Sequence, residues 1–359
     1  MINLVLAARA DAEARYVVRL NDRQSNDFGA NDALLVDERP DRKIYSSAFG
    51  LLEIRVADES CFDRDVVSVD PQRGLVERLV RSSSPHNTFL ATERCDQLCV
   101  MCSQPPKKTH VDRWAEFEVA ARLAPPDALL GISGGEPTLF RRELFAFIEA
   151  VQAERPDLSW HILSNGQHFC EDDISQLSSE AFSRVTWGIP IYAAAAPLHD
   201  EIVGKEGAYR QLREGLDILL RSGAHVELRT VVLSSNFDHL PALAHHAGLH
   251  LGFCDQWSIM QLEAAGFAKN RFADLFVPTA GRFAPIGEAI DAAELYGLPV
   301  ALFNFPRCHI PRNYRGHAVA SISDWKRKFA SACAECHERS ACGGFFEWHP
   351  AKAMEAVPL

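Results

Sequence analysis

From about residue 87 the chain alternates between short apolar runs of strand type and stretches with the 3.6-residue spacing of amphipathic helices. NTFLAT, ALLGIS, LSWHILS, VTWGIPIY, HVELRTVVL, FCDQWSIMQLE and LPVALFNF read as strands. Between them, Val111 to Leu123, Leu139 to Gln152, Asp173 to Glu180, Ala208 to Arg221, Asp238 to His246 and Gly281 to Tyr296 read as helices. Repeated strand–helix units of this length predict an α/β fold with a parallel sheet wound right-handedly into an open or closed barrel, its chemistry at the C-terminal strand ends. Residues 1–86 differ: LLEIRV and DVVSVD sit among Asp, Arg and Gly turn residues without helical periodicity, which predicts a small β-rich domain. Met1 to Ala8 reads as its first strand rather than a leader, because the apolar run is short and has no basic lead. After Phe305 a cysteine-rich tail follows. The expected division is therefore 1–86, 87–305 and 306–359, with no internal repeat.

Composition narrows the partners. The 359 residues are 47% hydrophobic and 24% charged, enough for a substantial core. A net charge of −11 argues against nucleic acid. No run approaches the roughly 20 apolar residues that span a bilayer, so the expectation is a cytoplasmic protein without membrane contact. Thiols stay reduced in that compartment, and ten cysteines then point to metal binding or catalysis.

Three of these cysteines, Cys95, Cys99 and Cys102, stand at i, i+4 and i+7. On a helix that spacing makes a buried stripe of small apolar residues. The stripe reading is weakened by Asp96 and Gln97 beside it, by the strand before it, and by Pro105-Pro106, which stops a helix. Thiolates so spaced suit a four-iron cluster, which normally takes four cysteines, so three leave one iron open. An open coordination position signals chemistry. Zinc competes, but Cys99 and Cys102 form a single CxxC with no second pair nearby.

Cys95-x3-Cys99-x2-Cys102 at the end of the first barrel strand and Ser133-Gly-Gly-Glu-Pro137 at the end of the second together resemble the signature of the radical S-adenosylmethionine (SAM) enzymes. The resemblance implies a partial (β/α)6, TIM-like barrel in which a [4Fe-4S] cluster on the three cysteines binds SAM. An electron from a flavodoxin- or ferredoxin-type reductant then cleaves SAM to methionine and a 5′-deoxyadenosyl radical. It further implies that Gly134, Gly135 and Glu136 hold the amino end of SAM, that Ser164-Asn165-Gly166 touch its ribose, and that Arg229 pairs with its carboxylate. Each has a plainer alternative: a tight glycine turn, an ordinary Asn-Gly turn, and a structural ion pair. The chain departs from the pattern at Met101, where much of the family has an aromatic residue; methionine can also pack against adenine.

The tail carries Cys308 and Cys333-x2-Cys336-x5-Cys342, followed by Gly343-Gly344. A zinc site fits these four ligands. They also resemble the twitch and SPASM extensions of radical SAM peptide maturases, which implies a second, auxiliary [4Fe-4S] cluster with cysteine on every iron. Cys61, Cys170 and Cys254 have no ligand spacing and read as structural. CSQPPK, IPIYAAAAPLHDEIVG, QLEAAGFAKN, SISDWK and CAECHERSACGGFF resemble the radical SAM maturases of the His-Xaa-Ser systems (HxsC) over roughly residues 75–347. That implies C–H activation on a ribosomally synthesised precursor peptide, and a second radical SAM maturase of the same system as partner. A radical SAM enzyme of small metabolites and a non-catalytic iron–sulfur or zinc protein are the competing readings. Tyr192, His199, Asp200, Glu263 and Asn304 are strand-end candidates for substrate contact, whereas Arg312, Arg315, Lys326, Arg327 and Lys328 read as a solvated basic face.

Overall fold

The computed structural model describes residues 2–24, 28–56 and 61–359, and these divide into two compact units. The first comprises residues 1–91, 111–133 and 142–161; the second comprises 92–110, 134–141 and 162–359.

In the first unit, seven short strands close into a small barrel: β1 (Val5–Ala10), β2 (Tyr16–Asn21), β3 (Asp32–Arg39), β4 (Arg42–Ser47), β5 (Gly50–Arg55), β6 (Val66–Asp70) and β7 (Leu75–Val80), in the order β1-β5-β4-β3-β2-β6-β7. Alternation drives the closure. On β5, Leu52 and Ile54 are buried while Leu51 and Arg55 face out. They join Val18, Leu20, Tyr45, Phe62, Val67 and Val76 in one core. Strand β2 is buried along all six residues because helix α1 (Trp114–Arg122) packs on it and on β6 and β7. Glu116 of that helix accepts from Ser68 Oγ at 2.8 Å and pairs with Arg15 at 3.0 Å. The small barrel's buried charges are matched in the same way, Arg19 donating to Asp32 through two nitrogens at 2.6 and 2.9 Å.

The larger sheet runs β15-β14-β13-β12-β11-β10-β9-β8, from β8 (Asn87–Thr92), β9 (Leu129–Gly134) and β10 (Ser159–Leu163) through β11 (Val185–Pro190), β12 (His225–Val231), β13 (Gln256–Met260) and β14 (Val300–Phe303) to β15 (Ala318–Val319). Strands β11 to β15 pair in parallel, so that Ile189, Leu228, Trp257 and Val300 form one buried row across four of them. The connecting helices are α2 (Arg141–Glu154), α3 (Ile174–Leu177), α4 (Ala196–Val203), α5 (Ala208–Ser222), α6 (Leu240–His250), α7 (Gly266–Lys269), α8 (Phe272–Leu275) and α9 (Ala284–Leu295). A hairpin of β16 (Arg327–Lys328) and β17 (Phe345–Phe346) lies in the tail.

Helix bounds shift by a few residues from those expected, and two of the shifts have a local cause. The helix expected over Asp173 to Glu180 shrinks to the single turn α3 between 3-10 turns, because Ser178 and Ser179 end it. The stretch expected to start a helix at Gly281 does so only at Ala284, where Pro285 occupies the first turn. Among the described residues no helix is long and apolar enough to cross a membrane.

Candidate active site

Strand β8 ends at Thr92, and residues 93–110 form neither helix nor strand. Cys95, Cys99 and Cys102 therefore lie on a loop rather than on the face of a helix. The loop is pinned by backbone bonds within the second unit. Leu98 N donates to Val203 O at 3.0 Å, Val100 N to Ile202 O at 2.9 Å, and Phe267 N to Cys102 O at 2.8 Å. From the end of β9, Gly135 N donates to Thr92 O at 2.8 Å and Glu136 N to Arg94 O at 2.7 Å.

All three thiols are half-buried. Cys102 N donates to Cys99 O at 3.0 Å, so one backbone turn carries the second and third cysteines. Burial pushes Cys95 and Cys99 up to about 12 and raises Cys102, whose thiol donates to Gln104 O at 3.1 Å. Thiols held up in this way are poor free nucleophiles, and a metal centre's own charge is what releases their protons. Among the described residues no three His, Cys, Asp or Glu groups converge on one metal ion; thiolates that each take a different iron of a cluster do not need to. An all-thiol donor set of three, carried on one loop, fits an iron–sulfur group.

The glycine pair explains how the two strand ends come so close. Gly134 has φ of +153°, and a Cβ on it would strike the Thr92 carbonyl. One on Gly135 would strike the Arg94 carbonyl and stand 3.1 Å from Cys95 Cβ. Only glycine fits either position.

Next comes Glu136, 1% exposed. Its carboxylate accepts from Thr138 N at 2.9 Å, Thr138 Oγ1 at 2.5 Å, Ser164 Oγ at 2.8 Å and Asn165 N at 2.5 Å. Burial outweighs these donors and raises its pKa. Asn165 continues the network by donating Nδ2 to Asp96 Oδ1 at 2.8 Å. Asp96 also pairs with Lys205, which donates to Gln167 Oε1 at 2.7 Å. Burial pushes Asp96 up, but His168 and Lys205 outweigh it and hold the carboxyl well below its usual range. A continuous polar chain thus ties the cysteine loop to the ends of β9 and β10.

The structure brings Cys95, Cys99, Cys102, Gly134, Gly135, Glu136, Ser164 and Asn165 into this frame. It gives Arg229 a partner of its own, Glu227, whose two oxygens accept from one guanidinium nitrogen at 2.9 and 2.8 Å. Met101 is buried in an apolar cluster with Tyr192, Leu262 and Ala264, against which Trp348 packs. His199 is neutral at physiological pH, since burial lowers it to about 4, and its Nδ1 accepts from Tyr192 N at 3.3 Å. Asp200 caps α5 by accepting from the amides of Gly207 and Tyr209, both at 2.7 Å. Glu263, raised by burial, faces Lys326 at 3.6 Å, and Asn304 is tied to Ser321. Sequence reasoning missed Thr138 and Lys205 as partners in the frame. Thr138 is signalled by its place two residues beyond Glu136; Lys205 has no sequence signal.

No protein-family profile matches the chain. Among solved structures, SuiB of Streptococcus suis bound to S-adenosylmethionine superposes with a TM-score of 0.50 at 15% identity, over 62% of this chain and 51% of that one. The chain has the fold of the radical SAM enzymes. SuiB bound to its precursor peptide SuiA gives a TM-score of 0.50 at 13% identity, over 64% of this chain and 51% of that one. In sequence, 149 residues are 26% identical to the GTP 3′,8-cyclase of Nautilia profundicola, 40% of this chain and 45% of the cyclase. The chain thus matches about half of each of these relatives' lengths.

Beyond the radical SAM barrel, Cys308, Cys333, Cys336 and Cys342 line one small cavity together with Phe329, Phe345, Val357 and Leu359. Amides point at its sulfurs: Arg307 N and Gly344 N donate to Cys342 Sγ, each at 3.4 Å. Four thiols around one apolar cavity fit a fully ligated metal group, and N–H donors on sulfur suit iron–sulfur chemistry. The basic stretch nearby is not a simple solvated face: Lys326 stands 5.1 Å from the Phe346 ring centre, and Lys328 donates to His349 O at 3.2 Å. Cys61 is exposed, Cys170 half-buried and Cys254 buried.

Proposed function

We propose that the chain is a radical SAM peptide maturase that modifies a ribosomally synthesised precursor peptide of the His-Xaa-Ser type by C–H activation. The observation that carries the radical SAM part is the three-thiol loop fastened to the glycine strand end, where Gly135 N and Glu136 N bond to Thr92 O and Arg94 O. Cys95, Cys99 and Cys102 would hold the SAM-binding [4Fe-4S] cluster. With cluster and SAM bound, the chemistry supplied is reductive cleavage of SAM to methionine and a 5′-deoxyadenosyl radical that takes a substrate hydrogen.

The chain's own residues bind and orient. Backbone carbonyls at Gly134 and Gly135 are the acceptors for the SAM ammonium, because the Glu136 carboxylate is already saturated by four donors. Glu136, Ser164 and Asn165 position the strand ends. Arg229 reaches the SAM carboxylate only by sharing its Glu227 partner. Cys308, Cys333, Cys336 and Cys342 would hold a second cluster, which has no open iron and serves electron transfer. Functionally, residues 1–86, 87–305 and 306–359 are the β-rich domain, the catalytic barrel and the cluster extension. An external flavodoxin- or ferredoxin-type reductant and a second maturase complete the system in the cytoplasm.

Two observations support the peptide reading: the tail's four-cysteine cavity, and the likeness in fold to SuiB, whose structure holds a precursor peptide. The stretch similar to a GTP 3′,8-cyclase favours a second reading, action on a small metabolite. Anaerobic reconstitution followed by mass spectrometry of peptide and nucleoside products decides between them. Peptide-dependent 5′-deoxyadenosine with a mass change on the peptide is expected; 5′-deoxyadenosine formed only with a metabolite such as GTP overturns the peptide reading.

A further inference from the structure

The last five residues return to the tail's cysteine cavity. Val357 and Leu359 line it with Cys308 and Cys336. Leu359 N donates to Cys336 Sγ at 3.5 Å. Two anchors hold the segment there. His309 Nε2 meets Glu355 O at 2.8 Å, and since a carbonyl can only accept, this nitrogen carries the proton. His337 N donates to Leu359 O at 3.0 Å. Both anchoring residues directly follow a cysteine of the set, so the strap is tied to the ligand-bearing loops themselves.

We propose that residues 355–359 are a built-in strap over the second metal site, supplying an N–H···S bond to Cys336 that raises its reduction potential and covering Cys308 and Cys336 from solvent. The potential part rests on the two-cluster reading given above. The physical reason is charge: reduction adds an electron to a group already carrying thiolate charge, and N–H dipoles aimed at the sulfurs stabilise the more negative state. Removing such a donor therefore makes the cluster harder to reduce. The strap amide reaches Cys336, so the effect is directed at one of the four ligands.

The test uses the full, anaerobically reconstituted chain. Leu359→Pro deletes the donor N–H and keeps the chain length, while Leu359→Ala keeps the N–H and trims the side chain. In a redox titration followed by electron paramagnetic resonance, L359P is expected to lower the reduced-to-oxidised ratio of the second cluster about tenfold at fixed potential, a negative shift of about 59 mV for one electron. L359A and the SAM-binding cluster serve as unshifted references. Equal second-cluster potentials in L359P and L359A overturn the N–H···S role. Separately, deleting residues 355–359 is expected to speed iodoacetamide labelling of Cys308 and Cys336 in metal-free protein by more than about tenfold over Cys333, following exposure. Unchanged labelling overturns the covering role. Metal analysis separates the two levels: zinc in the tail sinks the two-cluster reading and with it the potential argument, while labelling still decides the cover.

Discussion

Replacing Glu136 tests the polar frame most directly. Glu136→Ala removes an acceptor shared by four donors. The Thr138 and Ser164 hydroxyls can rotate to other partners, but the amides of Thr138 and Asn165 are fixed by the backbone. Loss of the cap on the 3-10 turn at Pro137–Phe140 costs about 1 kcal/mol. The orphaned, buried Asn165 amide costs about 1–3 kcal/mol more. The sum, about 2–4 kcal/mol, is the expected drop in unfolding free energy in a urea titration, because relief of the buried charge offsets part of the cavity cost. Glu136→Gln keeps one carbonyl acceptor but aims N–H₂ at a donor, so it should fall between Ala and the parent. The same change loosens the strand ends that face SAM; if about 1.4 kcal/mol of the loss is felt there, SAM affinity by calorimetry falls about tenfold. An alanine variant with the parent's urea midpoint and the parent's SAM affinity would refute the frame.

Three further outcomes follow from the same structure. Gly135→Ala should lower iron content as well as SAM binding, since its Cβ meets the Arg94 carbonyl and crowds Cys95; full iron with normal SAM affinity would show that the close approach is dispensable. Replacing Cys333 and Cys336 together with alanine should halve iron from about eight to about four per chain and leave 5′-deoxyadenosine formation uncoupled from peptide modification; normal modification by that variant counts against electron transfer through the tail. Asp32 is pushed up by burial, but Arg19, the Gly29 amide and Asn21 outweigh this and hold it below the usual range. Its contribution to stability is then complete above the unfolded value near ~3.9 and is lost as pH falls through the lower folded value. Asp32→Asn should therefore destabilise the protein at pH 7 and converge with the parent below pH ~4 in thermal melts; a constant gap across that range would contradict the assignment.

The order of strands and helices in the barrel was legible in the sequence because hydrophobic period is a local property, fixed by which face of each element is buried. The placement of the cysteine and glycine motifs at successive strand ends was legible through their resemblance to the radical SAM signature, while the contact between them came from the structure. For Arg229 a structural ion pair was one of the two readings, and the structure supplies Glu227, on the same strand face, as the partner. Three things were decided only in three dimensions. The cysteine loop is not a helix, because its amides and carbonyls bond to Val203, Ile202 and Phe267, a hundred or more positions away in sequence. Glu136 spends its carboxylate on Ser164 and Asn165 rather than on a ligand. The seven strands from β1 to β7 close into a barrel on which α1 lies. In each case the deciding partner is distant along the chain, and spacing alone carries no record of which buried polar group will find which donor once the backbone has crossed itself.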